Sequence, residues 1–307
     1  YVLGASGLSL TYGVKKFANF AHGDLMTVGA YLAFVATSYF QQSIVVGFIF
    51  AAIGVALLGV FLELAIFRRL DGRGEVAPLI ASVGVALVLE NVLNLTFGTS
   101  LQYLPVMIPQ DFALGNTGLH LNAVKGIATG IIAVALMVCL HVLLNYTTLG
   151  KAMRACSDDL DLARASGINT RNIVMWTWAL SGAFAAVAGV LLAIIVNLVP
   201  LLGFHVLLFI FAAVIIGGVG SPSGALFGGF LVGLIQVVSD VPLAWLANQG
   251  ILLGGVAYEP AVAFIVMILV LLFLPDGIMG ARRPSTRWRA RLRSLKTRVL
   301  NRPQGAE

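Results

Sequence analysis

The segment KAMRACSDDLDLARASGINTR at 151–171 decides how this chain is read. Lys151, Arg154, Asp158, Asp159, Asp161, Arg164 and Arg171 crowd into it, while the sequence on either side is almost wholly apolar. A charged side chain at the centre of a bilayer costs at least about 2.5–3.5 kcal/mol. The segment therefore lies outside hydrocarbon, and its flanks read as membrane spans. An organised polar loop between two spans is a place where another protein can push on a membrane domain.

Composition supports this. The 307 residues are 59% apolar and 10% charged, with a mean hydropathy of +0.98; soluble domains carry about 25% charged residues. Repeated apolar runs near twenty residues are helix spans and not barrel strands. Candidate spans are 1–14, 23–40, 43–67, 77–98, 121–145, 172–198, 204–217, 224–240 and 256–274. The expected fold is an all-α integral membrane protein of about eight to nine transmembrane helices with interrupted or re-entrant segments and an inverted repeat. The first run is short and starts on Tyr1, which suggests that the numbering begins inside a helix. No cleavable signal peptide is visible.

Charge placement gives the orientation. Arg68, Arg69 and Arg73 follow the third span, the 151–171 cations follow the fifth, and nine of the nineteen basic residues lie in 282–302. Walking the spans through a membrane puts all three groups on one side. The positive-inside rule makes that side cytoplasmic, with the N-terminus outside and the C-terminus inside. Loops 99–120 and 241–255 fall outside and hold no Lys or Arg; Lys125 is placed to snorkel. The net charge of +6 thus reports membrane orientation and not nucleic-acid binding. Residues 1–280 form the membrane domain, with a cytoplasmic loop at 146–171, and 281–307 form a basic tail. In that tail Trp288, Leu292, Leu295 and Val299 recur at helical spacing among arginines. Either an amphipathic helix on anionic lipid or a solvated tail fits.

Two stretches interrupt the apolar pattern: TYGVKKFANFAHGDLMTVG at 11–29 and GGVGSPSGALFGG at 217–229. Irregular backbone at membrane depth is tolerated only where it is buried in protein or lines a wet cavity. Paired interruptions in two halves point to a transport pathway. Asn19, His22, Gly23 and Asp24 in the first, and Gly217, Gly218, Gly220, Ser221 and Gly224 in the second, are candidate wall residues. The alternative is two short turns between ordinary helices, or a re-entrant hairpin for 204–240. His22 also reads as a hydrogen-bonded structural residue. Glu90, Asn91 and Asn94 sit inside the fourth span, with Glu90 and Asn94 on one helix face. That face meets protein or water, as a pathway wall, a subunit contact or an internal hydrogen-bond cluster. Glu63 and His141, nearer span ends, read as interfacial.

Other chemistry is sparse. Gly150-Lys151 lacks the upstream Gly of a nucleotide-binding loop, so the chain is not expected to bind ATP. Gly4-Ala5-Ser6-Gly7 matches the GxSG pattern of intramembrane proteases, but none of the four histidines stands in the context that would supply a base. Cys139 and Cys156 suggest neither a metal site nor a disulfide. A secondary transporter or channel needs intramembrane acids, for which Glu90 and Asp24 are the candidates.

Several segments together resemble a known family. Asn19-Phe20-Ala21-His22-Gly23-Asp24-Leu25-Met26 with Gly29-Ala30-Tyr31 is similar to the N-terminal signature of ABC-importer permeases for branched-chain amino acids, closest to the H-type subunit. Gly150 to Ala155, with Asp159, Ala163 and Gly167-Ile168-Asn169, resembles that family's cytoplasmic coupling loop. Gly217 to Ala225 and Leu274-Pro275-Asp276-Gly277-Ile278 also fit, so the likeness runs from about residue 5 to 280. The general importer pattern E-A-A-x-x-x-G appears here as Asp161-Leu162-Ala163-x-x-x-Gly167, with the acid and one Ala replaced.

The resemblance implies a permease subunit in a bacterial or archaeal inner membrane. Its partners would be a second permease subunit, two cytoplasmic ATP-binding subunits, an external substrate-binding protein and membrane lipid. It would bind no cofactor itself, ATP and Mg residing on the ATPase subunits, and no nucleic acid. Gly150, Arg154, Ala155, Asp158, Asp159, Asp161, Ala163, Gly167 and Ile168 become the expected ATPase-coupling residues, with Gly167 permitting a tight exit. Branched-chain amino acids are the implied cargo, with urea, short amides and other amino acids as alternatives.

Overall fold

The computed structural model describes residues 1–106, 112–113, 120–121, 123–249, 258–273 and 277–278. The chain enters as α1 (Val2–Lys15), breaks, and resumes as α2 (His22–Phe34), which a π turn extends over Val35–Tyr39. It continues through α3 (Ile44–Ala65), a 3-10 turn at Phe67–Leu70, and α4 (Val76–Phe97). The following connection includes a two-stranded antiparallel ribbon, Phe112–Ala113 against His120–Leu121, and a π turn at Ala123–Ala128. Then come α5 (Thr129–Tyr146), α6 (Thr148–Asp158), α7 (Leu160–Ala165), α8 (Thr170–Ile195), α9 (Leu202–Gly217), α10 (Pro222–Asn248) and α11 (Glu259–Phe273). Five helical stretches among the described residues are long and apolar enough to cross a membrane: Ile44–Leu70, Val76–Phe97, Gly126–Tyr146, Thr170–Ile195 and Pro222–Trp245.

Contacts define two ends. At the charged end Lys15 Nζ reaches Glu63 Oε1 (2.8 Å) and Asp71 Oδ1 (2.6 Å), and Lys16 Nζ donates to Ser157 O (2.6 Å). At the opposite end Tyr1, Gly126 and Ile195 line one pocket. With those ends fixed, each helix has a direction. α1 and α3 run toward the charged end and α4 away from it. α2 starts part-way along α4 and runs to the opposite end, where Tyr31 and Phe34 meet Phe97. α8 runs from the charged end to Ile195. α9 starts beside Gly23 and ends at the charged end, where Gly220 O lies 3.5 Å from the Cβ position of Gly13. α10 climbs back past Val2 and Tyr1, and after α11 the chain meets Gly218 through Gly277.

The sequence α1–α2–α3–α4 is therefore repeated, upside down, by α8–α9–α10–α11. The correspondence extends to lengths. Residues 16–21 and 196–201 are six-residue breaks, and 40–43 and 218–221 are four-residue turns. Each turn ends on a serine cap: Ser43 accepts from Val46 N and Ser221 from Gly224 N. This is the inverted repeat expected of a transporter built from broken helices.

Small residues let the backbones approach. A Cβ on Gly29 would overlap Ala186, one on Gly189 would overlap Met26 O, and one on Gly182 would lie 2.6 Å from Val55 O. Such contacts replace the hydrophobic driving force that is missing between helices in lipid. α8 is the hub and is mostly buried, whereas α3, α4 and α5 keep bare outer faces of Val, Leu and Ile.

The span expected at 121–145 is helical from Ala123, as a π turn followed by α5 to Tyr146. The one expected at 224–240 is longer and runs on to Asn248 through Pro242. α9 and α10 do not form a re-entrant hairpin, because α10 continues to the opposite end. The interruption that matches 16–21 is 196–201 and not 217–229. Asn197, Pro200 and Gly203 were the sequence signal for it. The tail at 281–307, Leu274 to Asp276 and the Lys125 side chain lie outside the described residues.

Candidate functional site

The charged-end arm is built by caps. Thr147 accepts from Gly150 N (3.0 Å) and starts α6, whose Met153 and Cys156 are buried against the bundle. Burial pushes the Cys156 thiol up from its ordinary value. Gly150 sits directly on the Leu143–Leu144 backbone, where no side chain fits. Asp158 ends α6. Asp159 lies between the two helices and caps α7: its Oδ1 accepts from Asp161 N and Leu162 N, both at 3.0 Å. Ala163 is the buried anchor of α7, and Ile168 N returns to Ala163 O (3.1 Å). Gly167 has φ +85° with open space around it, so its requirement is conformational and not steric. Asn169 then caps α8.

The outer rim of the arm carries Asp158, Asp159, Asp161, Arg164 and Leu162, whose side chain is 65% exposed. Leu162 was not singled out in the sequence; it stands between Asp161 and Ala163 in a helix, Leu160–Ala165, with only two charged residues. Arg154 does not join this rim. It faces Asn145 Oδ1 (3.5 Å) and the start of α10, while Ala155 is half-buried. Behind α7 lies a cavity of about 610 Å³ lined by Lys15, Glu63, Arg68, Asp71, Asp161, Arg164 and Arg171. Lys15 and Glu63 are both buried in it, and Phe17, Phe67 and Trp178 stack beside them. Neither lysine at 15 or 16 was singled out beforehand, and Glu63 is a buried ion-pair partner and not a simple interfacial residue.

The break at 16–21 solves its backbone problem with side chains. Ser82 Oγ accepts from Phe20 N (3.0 Å), and Asn19 Oδ1 accepts from Ala21 N (3.1 Å). Asn19 is fully buried. His22 is fully buried too, with Nε2 at 2.9 Å from Gly4 O, and it packs under Gly7. These contacts match its structural reading. Gly23 meets Gly203 backbone to backbone, and Gly203 N donates to Thr27 Oγ1 (2.8 Å). Asp24 instead borders a recess with Glu90, between α4 and the start of α9. Asn91 is exposed and bonds Leu87 O (2.7 Å); neither it nor Asn94 lines that recess.

The residues at 217–224 form a turn. Gly218 (φ +111°) and Gly220 (φ +79°) reverse the chain, Gly217 and Gly224 touch through their backbones, and Ser221 caps α10. The turn packs on α1 and α6 at the charged end, bordering a pocket of only about 40 Å³. Ser6 of the GxSG pattern is fully buried and donates to Leu3 O (2.9 Å), so its hydroxyl is held by its own helix.

Known proteins were compared with the chain. The family model described as branched-chain amino acid transport system / permease component matches residues 1–271. The chain is 32% identical over 292 residues to the high-affinity branched-chain amino acid transport system permease protein BraD of Pseudomonas aeruginosa, with 91% of each chain covered. It is 30% identical to LivH of Escherichia coli, again over 91% of each. To the probable LivH of Methanocaldococcus jannaschii it is 33% identical over 286 residues, covering 91% of this chain and 88% of that one. No solved structure matches. An inverted repeat of broken helices, a capped polar arm at one end and these likenesses agree: the chain belongs to the permease components of branched-chain amino acid transport systems, and it is a transport subunit and not an enzyme.

Proposed function

We propose that the chain is the membrane subunit through which an ATP-driven importer moves branched-chain amino acids into the cell, with α6–α7 as the element its ATPase pushes. The observation that carries this is the arm: two short helices, one capped and anchored by Asp159, Ala163 and Gly167, hold out an exposed Leu162 with exposed Asp158, Asp159, Asp161 and Arg164 close to it in the chain. An apolar knob with a charged rim is the form of a docking surface whose centre buries and whose edge orients.

The charged end is cytoplasmic in this reading, because Arg68, Arg69, Arg73 and the arm lie there. Two ATP-binding subunits, a second permease subunit and an external binding protein complete the machine, and this chain holds no cofactor. The family to which the chain belongs implies ATPase and binding-protein partners; their number and identity are part of the proposal. Closure of the ATPases on ATP moves the arm. Its ties to α1, through Lys16 and Ser157, and to α8, through Asn169, pass that motion to the two repeats.

The test is Leu162→Asp in the reconstituted assembly. The expected result is intact assembly of the membrane subunits, with ATP-driven leucine uptake reduced at least tenfold. Uptake equal to wild type would sink the docking role.

A further inference from the structure

The recess beside Asp24 is not explained by the arm. It holds about 190 Å³, room for about six waters at liquid density, and is lined by Phe20, Asp24, Glu90, Leu201, Phe204 and other aliphatic side chains of α4 and α9. We infer that this recess is a subsite for a primary ammonium group carried on an aliphatic chain, with Asp24 and Glu90 as its acceptors. The assignment of that ligand as the translocated amino acid rests on the importer reading above.

Four observations carry it. Asp24 is 2% exposed, borders the recess, and has no hydrogen bond or ion pair to another residue among the described residues. Glu90 borders the same space, and no Lys, Arg or His lines it. The position is deep: Glu90 is the fifteenth residue of α4, about 21 Å along a helix that starts at the charged end. Acids at that depth are costly against lipid and mark pathways or subunit contacts.

The lining then selects the occupant. An ammonium offers three N–H donors, which two carboxylates accept as charge-assisted bonds. Phe20 and Phe204 add aromatic faces, which also favour a cation. The remaining walls are aliphatic and suit a branched hydrocarbon side chain. Leu87 and Phe204 are exposed on the outer surface of this chain, so the recess opens sideways toward whatever completes the path.

The experiment uses proteoliposomes holding the complete assembly, with ATP at the ATPase side and leucine-loaded binding protein at the other. Asp24→Asn and Glu90→Gln are each expected to cut leucine uptake tenfold or more in assemblies that retain all subunits, while Asn91→Ala, which does not line the recess, is expected to stay within twofold of wild type. Uptake within twofold of wild type in both variants overturns the subsite and leaves the importer reading standing. A second measurement does not depend on transport. Leu87→Cys, with Cys139 and Cys156 replaced by Ser, is treated with cationic and anionic methanethiosulfonates. Reaction is expected to favour the cation at least tenfold beyond the ratio for a free thiol, and Asp24→Asn combined with Glu90→Gln is expected to abolish the preference. No charge preference overturns the acid-lined recess. A wild-type assembly without ATP-driven leucine uptake, but with the charge preference intact, overturns the importer reading alone.

Discussion

Residues 16–21 and 196–201 are breaks of equal length in equivalent places of the two repeats, and the chain satisfies their backbones by different means. In the first, Asn19 and Ser82 lend side-chain oxygens to Ala21 N and Phe20 N. In the second, Leu198 exchanges both of its backbone bonds with Gln102, at 3.0 Å each. The first break is followed by Asp24 and preceded by the buried Lys15. At the matching places the second has Phe204 and Ile195. The repeat thus supplies geometry twice and polar chemistry once. Helix starts meet in the middle from both halves, at Gly23 and Gly203, but at the two matched positions the acid, Asp24, and the base, Lys15, stand only in the first repeat.

That asymmetry can be broken by mutation, and the largest effect is expected at Lys15. Lys15→Ala leaves Glu63 buried without its partner, which costs roughly 3–5 kcal/mol. Loss of a monodisperse peak in detergent chromatography, or a large fall in thermal midpoint, is the expected reading. Ile195→Ala at the matching place should be tolerated. The meeting point comes next. A Cβ on Gly203 would overlap Gly23 O, so Gly203→Ala forces the two helix starts apart, at about 1–3 kcal/mol or more. The same thermal assay reads this.

A smaller contrast separates the two breaks directly. Asn19→Ala orphans the buried Ala21 N–H, costing about 1–3 kcal/mol. Asn197 is exposed, and Asn197→Ala should stay within about 0.5 kcal/mol. Equal losses in a paired thermal measurement would erase the distinction drawn between the breaks. The smallest effect is in the arm. Gly167→Ala imposes about 1–2 kcal/mol of left-handed strain on a loop with no steric conflict. The thermal midpoint of the bundle should hardly move, while ATP consumed per leucine transported rises; an unchanged ratio would separate Gly167 from coupling.

Much of this was legible in sequence because it rests on local rules. Charge placement fixed which connections share an end, and apolar run length fixed the helices. The arm announced itself through charge density and Gly167. What was not legible depends on contacts between distant segments. Gly217–Gly229 drew attention because glycine is conspicuous, yet Gly218 and Gly220 serve a tight turn and Gly228 and Gly229 pack α10 against α9 and α1. The true counterpart of 16–21 hides in VNLVPL, whose one exposed polar residue, Asn197, carries little signal because a backbone bridge to Gln102 does its work. Lys15 and Glu63 lie 48 residues apart, so neither identifies the other along the chain. Asp159 looked like one of three equivalent surface acids; only the helix geometry shows its carboxylate spent on two backbone N–H groups.

The central claim is that this chain works as the membrane half of an ATP-driven importer. The most direct measurement is radiolabelled leucine accumulation in proteoliposomes containing the complete purified assembly, with and without ATP and the binding protein. The account predicts accumulation only when both are present. Accumulation by this chain without ATP, driven by an imposed ion gradient, would contradict it.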